Sequence, residues 1–295
     1  MTDPAPAHPA STVVLVRERP GASGGTPPEL FMVRRTRGTS FFGGAFVFPG
    51  GRVDQADHVT DADEWCDGAD MARVHFADLA AEPDTAIAYH LAAMRELFEE
   101  AGVLLARDRT GQFIVTSDPA TQLRFDDHRH ALHDGERSLR AIVDAEGLRL
   151  ALHVLRPLAH WVTPVIEPKR FDARFFLACM PDGQVPLHDS LETTESRWMT
   201  AAEALEHCRR DEIVLAPPTW CTLRDLSQFD SVAAMLDWLR TQTIVRMEPM
   251  PYEADGRKML LLPGDPLHPE PARGDSPAET RFVLDRGRWR ATSPG

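Results

Sequence analysis

The sequence is poor in the features that mark an extracellular scaffold or a membrane protein. Its four cysteines, Cys66, Cys179, Cys208 and Cys221, are scattered over 295 residues and form no CxxC pair. That excludes a disulfide framework and a Cys-based zinc site, and it fits a reducing interior. No stretch approaches the roughly 20 consecutive apolar residues of a membrane span. Met1 to Ala10 is rich in Pro and Ala but has neither a basic region nor an apolar run, so it reads as neither signal peptide nor anchor. Positive charge is also short: 32 Lys and Arg stand against 45 Asp and Glu, a formal net charge of -13. No global positive field gathers a nucleic-acid polymer, and a small anionic ligand needs a local site or a bound cation. Internal repeats and long low-complexity linkers are missing. The stretch from Ala291 to Gly295 carries no peroxisomal address, so a cytoplasmic protein is expected.

What is present suffices for one substantial core with additions, since 43% of residues are hydrophobic. Residues 11–17 (STVVLVR) and 30–34 (LFMVR) read as strands joined across a Gly/Pro-rich turn, and 45–48 (AFVF) as a third that runs into Pro49-Gly50-Gly51. A paired glycine after proline lets backbone turn sharply and approach a ligand. Residues 103–106, 156–163, 170–177 and 195–199 read as further strands, with helices near 200–208, 217–227 and 231–240. Alternating strands and helices predict an α/β class.

Three segments stand apart. Residues 55–82 are acidic and without periodicity (Asp57, Asp61, Asp63, Glu64, Asp67, Asp70, Asp78, Glu82), and read as a surface insertion. Its acid spacing suggests a calcium loop, but Trp65 and Cys66 occupy the positions of a ligand and of the glycine. Residues 128–146 read as polar helix, with His128, His130 and His133 on an exposed face and no completed ligand set. After residue 242, two strand-like pieces, KMLLLP and TRFVLD, lie among many prolines and read as a cover on the main domain.

The chemistry concentrates at the end of one helix. From Asp84 to Ala101, Ile87, Leu91, Met94 and Phe98 recur at helical spacing and form one apolar seam, closed by Gly102. At roughly 100° per residue, Glu96, Glu99 and Glu100 share one arc about opposite that seam. Three carboxylates at a helix C-terminus repel one another and oppose the helix dipole, so the arrangement calls for a cation, and hard divalent ions take such oxygen ligands. Arg95, four residues before Glu99, is placed to orient that carboxylate.

The strand ending FPGG (residues 48–51), followed by Arg95-Glu96-Leu97-Phe98-Glu99-Glu100-Ala101-Gly102-Val103, resembles the Nudix box, G-x5-E-x7-R-E-U-x-E-E-x-G-U with U aliphatic. The second half matches at every fixed position. The first half departs from it: Gly51 and Arg95 are 44 positions apart where the pattern has 14, an insertion of about 30 residues. The glutamate of the x5-E element has no clear counterpart, and Asp54 is a nearby acid that could replace it. A split box of this kind, the GAFVFPGG stretch (44–51), RELFEEAGVLL and Leu215-Ala-Pro-Pro-Thr219 resemble the coenzyme A and acyl-CoA diphosphatase branch of that superfamily.

The resemblance implies an α/β/α sandwich with a mixed sheet. It places a Nudix domain over 11–242, with inserts at about 55–82 and 126–147, and a C-terminal extension over 243–295. It implies Mg²⁺ or Mn²⁺ held by Glu96, Glu99 and Glu100, with a Gly50 or Gly51 carbonyl as a further ligand. It also implies a base drawn from Glu99, Glu192 or Glu195. Arg34, Arg35 and Arg37, near the end of the second strand, are candidates for phosphate contacts because Arg forks suit phosphate oxygens. The expected reaction is hydrolysis of a phosphoanhydride in CoA or acyl-CoA. The alternatives are an NADH or ADP-ribose pyrophosphatase and, in another class, a Nudix-fold binding module that does no chemistry. The expected partner is a small nucleoside-diphosphate derivative, with no nucleic acid and no membrane, and a homodimer is left open.

Overall fold

A computed structural model describes residues 5–21, 25–36, 38, 42–75, 83–271 and 278–294. The chain opens with β1 (Ala7–Arg17) and β2 (Glu29–Arg35), the expected antiparallel hairpin, with Val16 opposite Leu30. β3 (Phe46–Val47) pairs with β2. The two glycines are not a simple turn. Gly50–Arg52 forms a short strand, β4, against Ala10–Thr12 of β1. After a 3-10 turn (Gln55–Asp57) come α1 (Ala62–Trp65), β5 (Cys66–Asp67), α2 (Ala69–Val74), α3 (Pro83–Ala101) and β6 (Ala106–Arg107). There follow α4 (Pro119–His133), α5 (Leu139–Glu146), β7 (Arg149–Ala151), β8 (Arg156–Val162), β9 (Arg170–Cys179) and β10 (Thr193–Thr200). Helices α6 (Ala201–Arg209), α7 (Pro217–Leu226) and α8 (Val232–Leu239) match the three predicted ones. The chain then adds β11 (Arg246–Met247), β12 (Met250–Ala254), β13 (Arg257–Leu261), β14 (Arg281–Asp285) and β15 (Arg288–Thr292).

The main sheet is mixed, in the order β10-β2-β1-β9-β8-β11, with β1 and β9 parallel over ten residues. Strand alternation divides its side chains between two cores. Val13 and Leu15 of β1 face a cluster built from Trp65, Ile87, Leu91, Met94, Phe98 and Ile142. Val14 and Val16 face the other way, onto Leu205, Leu223, Met235, Leu260 and Phe282. Helices on one side, and helices with a second sheet on the other, make the expected α/β/α sandwich. No helix among the described residues is long and apolar enough to cross a membrane.

The structure corrects four sequence expectations. The 55–82 stretch is not an irregular surface insertion: within it Asp57, Ala62, Trp65, Cys66, Ala69 and Ala72 are buried, and β5 pairs with β7 in a small three-stranded sheet. Asp63, Glu64 and Asp70 sit on the outer sides of short helices whose apolar residues are too few to register as periodicity. Residues 76–82 of that stretch lie outside the described residues, as does Arg37. Residues 103–105 are buried but not a strand. His128 is buried, not on an exposed face, its Nε2 hydrogen-bonded to Glu146 at 2.9 Å. Finally, β11, beyond residue 242, pairs with β8 in the main sheet, and the rest of the tail is a four-stranded antiparallel sheet, β12-β13-β14-β15.

α3 runs through the centre of one layer. Its predicted seam is buried, and Gly102 ends it in the left-handed region at φ 68°, where its N–H reaches the Phe98 carbonyl at 2.9 Å. The same helix buries His90 completely, against the Phe176 ring. His90 Nδ1 donates to the Ala86 carbonyl at 2.7 Å, so its Nε2 accepts from His75 Nδ1 at 2.9 Å. Burial holds His90 down to about 3 and His75 to about 4. Unfolded, both take protons below about pH 6.5, while the native state refuses them, so their contribution to stability is lost as pH falls. For His90 alone the expected loss is about 2 kcal/mol between pH 6.5 and 4.5, the slope approaching roughly 1.4 kcal/mol per pH unit below pH 6. Urea midpoints of wild type and His90→Leu at both pH values check this. An acid-induced loss of the same size in the two proteins counts against it.

Candidate active site

The C-terminal turn of α3, strand β4 and the 3-10 turn meet around one guanidinium. Arg95 Nε and Nη2 donate to the two oxygens of Asp57 at 3.1 and 2.9 Å, a bidentate pair between two largely buried side chains. Nη2 also donates to the Arg52 carbonyl at 2.7 Å, and Nη1 to Glu96 at 2.8 Å and Glu99 at 2.9 Å. Burial works against this charge, but the hydrogen bonds to Asp57 and the attraction of Glu96, Asp57 and Glu99 raise the guanidinium above its ordinary range. Asp57 is further fixed by the Asp54 N–H at 2.8 Å. Asp54 itself is mostly exposed and stands 3.6 Å from Arg95. The acid that replaces the missing glutamate is therefore Asp57, not Asp54. It is the sixth residue after Gly51, the spacing of G-x5-E, and the insertion begins only after it.

Glu100 is buried and accepts the Gly50 N–H at 2.9 Å. Burial, then repulsion from Glu96, raises its carboxyl well above the usual range. Burial and the nearby Glu99 push Glu96 up to about 7, against the pull of Arg95, and burial raises Glu99. Three carboxylates, Asp57, Glu96 and Glu99, thus share one guanidinium, and Glu100 lies beside them on the Gly50 N–H. Behind them, Arg129 of α4 donates to the Glu99 carbonyl at 2.7 Å and the Leu187 carbonyl at 3.0 Å, placing positive charge at the negative end of α3. Gly51 lies against the Glu96 carboxylate so closely that a Cβ there would overlap it. This donor set fits a hard divalent cation: oxygen ligands only, excess negative charge held out of water, and backbone with no side chain beside it. Glu96 and Glu99 are turned to Arg95, and among the described residues no three acidic or imidazole side chains already converge as a ligand set.

These carboxylates line a cleft of about 910 Å³. Arg35 and Glu192 reach it, whereas Arg34 and Glu195 do not. The reason is local. Arg34 and Arg35 are neighbours on β2 and point to opposite faces, and Arg34 is held by Glu195 at 3.4 Å and the Gly44 carbonyl at 3.3 Å. A register shift between Thr193 and Glu195 puts Glu195 opposite Arg34, where it also meets Arg197 Nε at 2.6 Å. The main chain at Glu192 is fixed from both sides, and its carboxylate is exposed at the cleft. Its N–H donates to Asp189 at 3.1 Å, and its carbonyl accepts the Thr36 N–H at 2.9 Å. The Pro217-Pro218-Thr219 segment at the start of α7 lines the same cleft, tied to β3 by the Phe46 N–H to Val214 carbonyl bond at 2.9 Å.

The cleft has two characters. Arg52 of β4 and Arg137, just before α5, contribute positive charge to its lining, whereas Arg140 of α5 is already paired with Asp61, Glu64 and Asp144. The apolar part of the lining is Trp161, Phe171, Phe175 and Pro217, joined by Pro249, Leu260 and Trp289 of the tail.

Comparison with known proteins agrees with this geometry. The family model of the NUDT19 Nudix domain matches residues 71–226. Proteins described as acyl-coenzyme A diphosphatase NUDT19 from Gallus gallus and Homo sapiens are each 28% identical over 88% of this chain, covering 79% and 80% of their own lengths. The crystal structure of a Nudix hydrolase from Alicyclobacillus acidocaldarius superposes with a TM-score of 0.64 at 28% identity, over 81% of this chain and 98% of that one.

Proposed function

The chain belongs to the NUDT19 Nudix domain family, and from that premise we propose that it hydrolyses the diphosphate of coenzyme A or its acyl thioesters. The products are adenosine 3′,5′-bisphosphate and (acyl) phosphopantetheine. As a Nudix hydrolase the protein needs a divalent metal ion, read here as Mg²⁺ or Mn²⁺. The observation that carries the reading is the set of box carboxylates facing a cleft lined both by Arg35, Arg52 and Arg137 and by an apolar, aromatic surface. A coenzyme A thioester combines the same two chemistries, phosphates and an apolar acyl group.

Glu96, Glu99 and Glu100, with the Gly51 carbonyl, are the groups that would hold the cation. Once bound, it supplies charge neutralisation at the diphosphate and activation of water. Each protein group then has a defined task. The Gly50 N–H holds one Glu100 oxygen, leaving the other for ligation. Arg95, fixed by Asp57, orients Glu96 and Glu99. Arg35, on the cleft wall, offers its fork to phosphate oxygens. Glu192 accepts the proton from the attacking water as the new P–O bond forms and the anhydride P–O bond breaks, and the leaving phosphate departs as the anion. Glu192 takes the role expected of Glu195 because it alone of the two reaches the cleft.

A substrate panel with Mg²⁺ or Mn²⁺ tests the reading, using CoA, acyl-CoAs, NADH, ADP-ribose and diadenosine polyphosphates with products resolved by chromatography. Release of adenosine 3′,5′-bisphosphate from CoA species is expected. Preferential cleavage of NADH or ADP-ribose would overturn the substrate, and no turnover of any compound would overturn the reaction.

A further inference from the structure

The tail after β11 is firmly attached. Leu260, Leu262 and Phe282 sit in the core beneath β1 and β9. Asp265, 2% exposed, takes both Arg281 nitrogens at 2.8 and 2.9 Å and the Thr280 hydroxyl at 3.0 Å. Arg288 and Arg290 both reach Asp211, just after α6, at 3.1 and 2.9 Å. A sheet held this way is a fixed wall rather than a loose flap.

That wall faces the catalytic cleft. Trp289 on β15, only half-buried, and Leu260 on β13 stand in the same cleft as Trp161, Phe171 and Phe175 of β8 and β9. The charged groups that line the cleft from the loop between β8 and β9, Glu167 and Lys169, are of opposite sign, whereas Arg52 of β4 and Arg137 before α5 line it as cations and Arg140 is already paired with Asp61, Glu64 and Asp144. Phosphates belong with the arginines. An adenine base would need hydrogen-bonding groups on the wall, and the wall's own side chains are apolar, apart from the Trp289 indole N–H. A saturated chain needs only apolar area removed from water.

We propose that the C-terminal sheet is the acyl-recognition element of this enzyme, with Trp289 a specificity-determining residue that contacts the acyl chain of a coenzyme A thioester. The assignment rests on the CoA reading of the site but predicts a binding property that is measured without turnover. The sheet links the tail, which the box motif does not include, to substrate choice.

The test is equilibrium binding to the full chain by calorimetry, with chelator present so that nothing is cleaved. The ligands are free CoA and dodecanoyl-CoA, and the proteins are wild type, Trp289→Ala and Trp289→Phe. Wild type is expected to bind dodecanoyl-CoA more tightly than free CoA. The ratio of the two Kd values should fall on the order of tenfold in Trp289→Ala, the scale on which one or two methylenes of the chain lose their apolar contact. Trp289→Phe, which keeps a flat apolar face, should recover part of the ratio, an outcome that general loosening of the tail would not give. A ratio unchanged in Trp289→Ala, or no preference for the acyl form in wild type, would overturn the proposal. Binding with the acyl preference, in a protein whose panel shows no CoA cleavage, would overturn the reaction while leaving the wall assigned. Binding of neither ligand would overturn both.

Discussion

Glu100→Gln is expected to lower turnover with Mg²⁺ or Mn²⁺ by on the order of 10³-fold, the scale on which removal of one charge-stabilising group acts at a reacting centre, while the fold is kept or strengthened. The two effects separate because of where this carboxylate lies. Glu100 is buried beside Glu96, and burial together with that neighbour disfavours its charge. Glutamine has the same shape and can still accept the Gly50 N–H, so the substitution removes a buried repulsion without opening a cavity. It also removes one anionic ligand, so Mn²⁺ affinity measured by calorimetry should weaken. A urea midpoint equal to or above that of wild type, with rate and metal affinity both reduced, is the expected pattern. Retention of turnover to within a few-fold would remove Glu100 from the site, and a large drop in midpoint would mean that its role is structural.

Asp57→Ala is expected to cost about 3 kcal/mol of stability, the lower end of the range for breaking one side of a buried ion pair. The loss comes from the partner left behind. Without Asp57, two of the donor contacts of a largely buried guanidinium point at nothing, and the group that orients Glu96 and Glu99 is no longer fixed. Turnover should fall as well, with Asp57→Asn intermediate because the amide oxygen can still accept one bond. Asp54→Ala is the control for stability: that side chain is mostly exposed and 3.6 Å from Arg95, so its removal should shift the midpoint by less than about 0.5 kcal/mol. Equal destabilisation by the two alanine variants would return the role to Asp54 or share it between them.

The part of the site read directly from the sequence is the part that a single helix encodes. In α3 the seam of Ile87, Leu91, Met94 and Phe98, the arc of Glu96, Glu99 and Glu100 and the closing Gly102 all follow from 3.6 residues per turn and one left-handed cap. The hairpin of β1 and β2 was equally legible, because its alternation and its turn are adjacent in the chain. Asp57 was not legible, although its spacing from Gly51 marks it. It stands among eight acids, and the residue that distinguishes it, Arg95, is 38 positions away. Glu195 misled for a related reason: a register shift at Thr193 defeats any period-two count, and it is Glu192 that enters the cleft.

The sequence by itself determined the α/β class, the family resemblance and the three box carboxylates, since helix phase and cap chemistry are local properties that short stretches of chain specify. Tertiary structure decided which acid holds Arg95, which of Arg34 and Arg35 faces the cleft, and that Leu260 and Trp289 of the tail stand in the same cleft as Glu96. Those choices depend on burial and on pairings between distant segments, where the free energy belongs to the contact and neither partner's local sequence carries it.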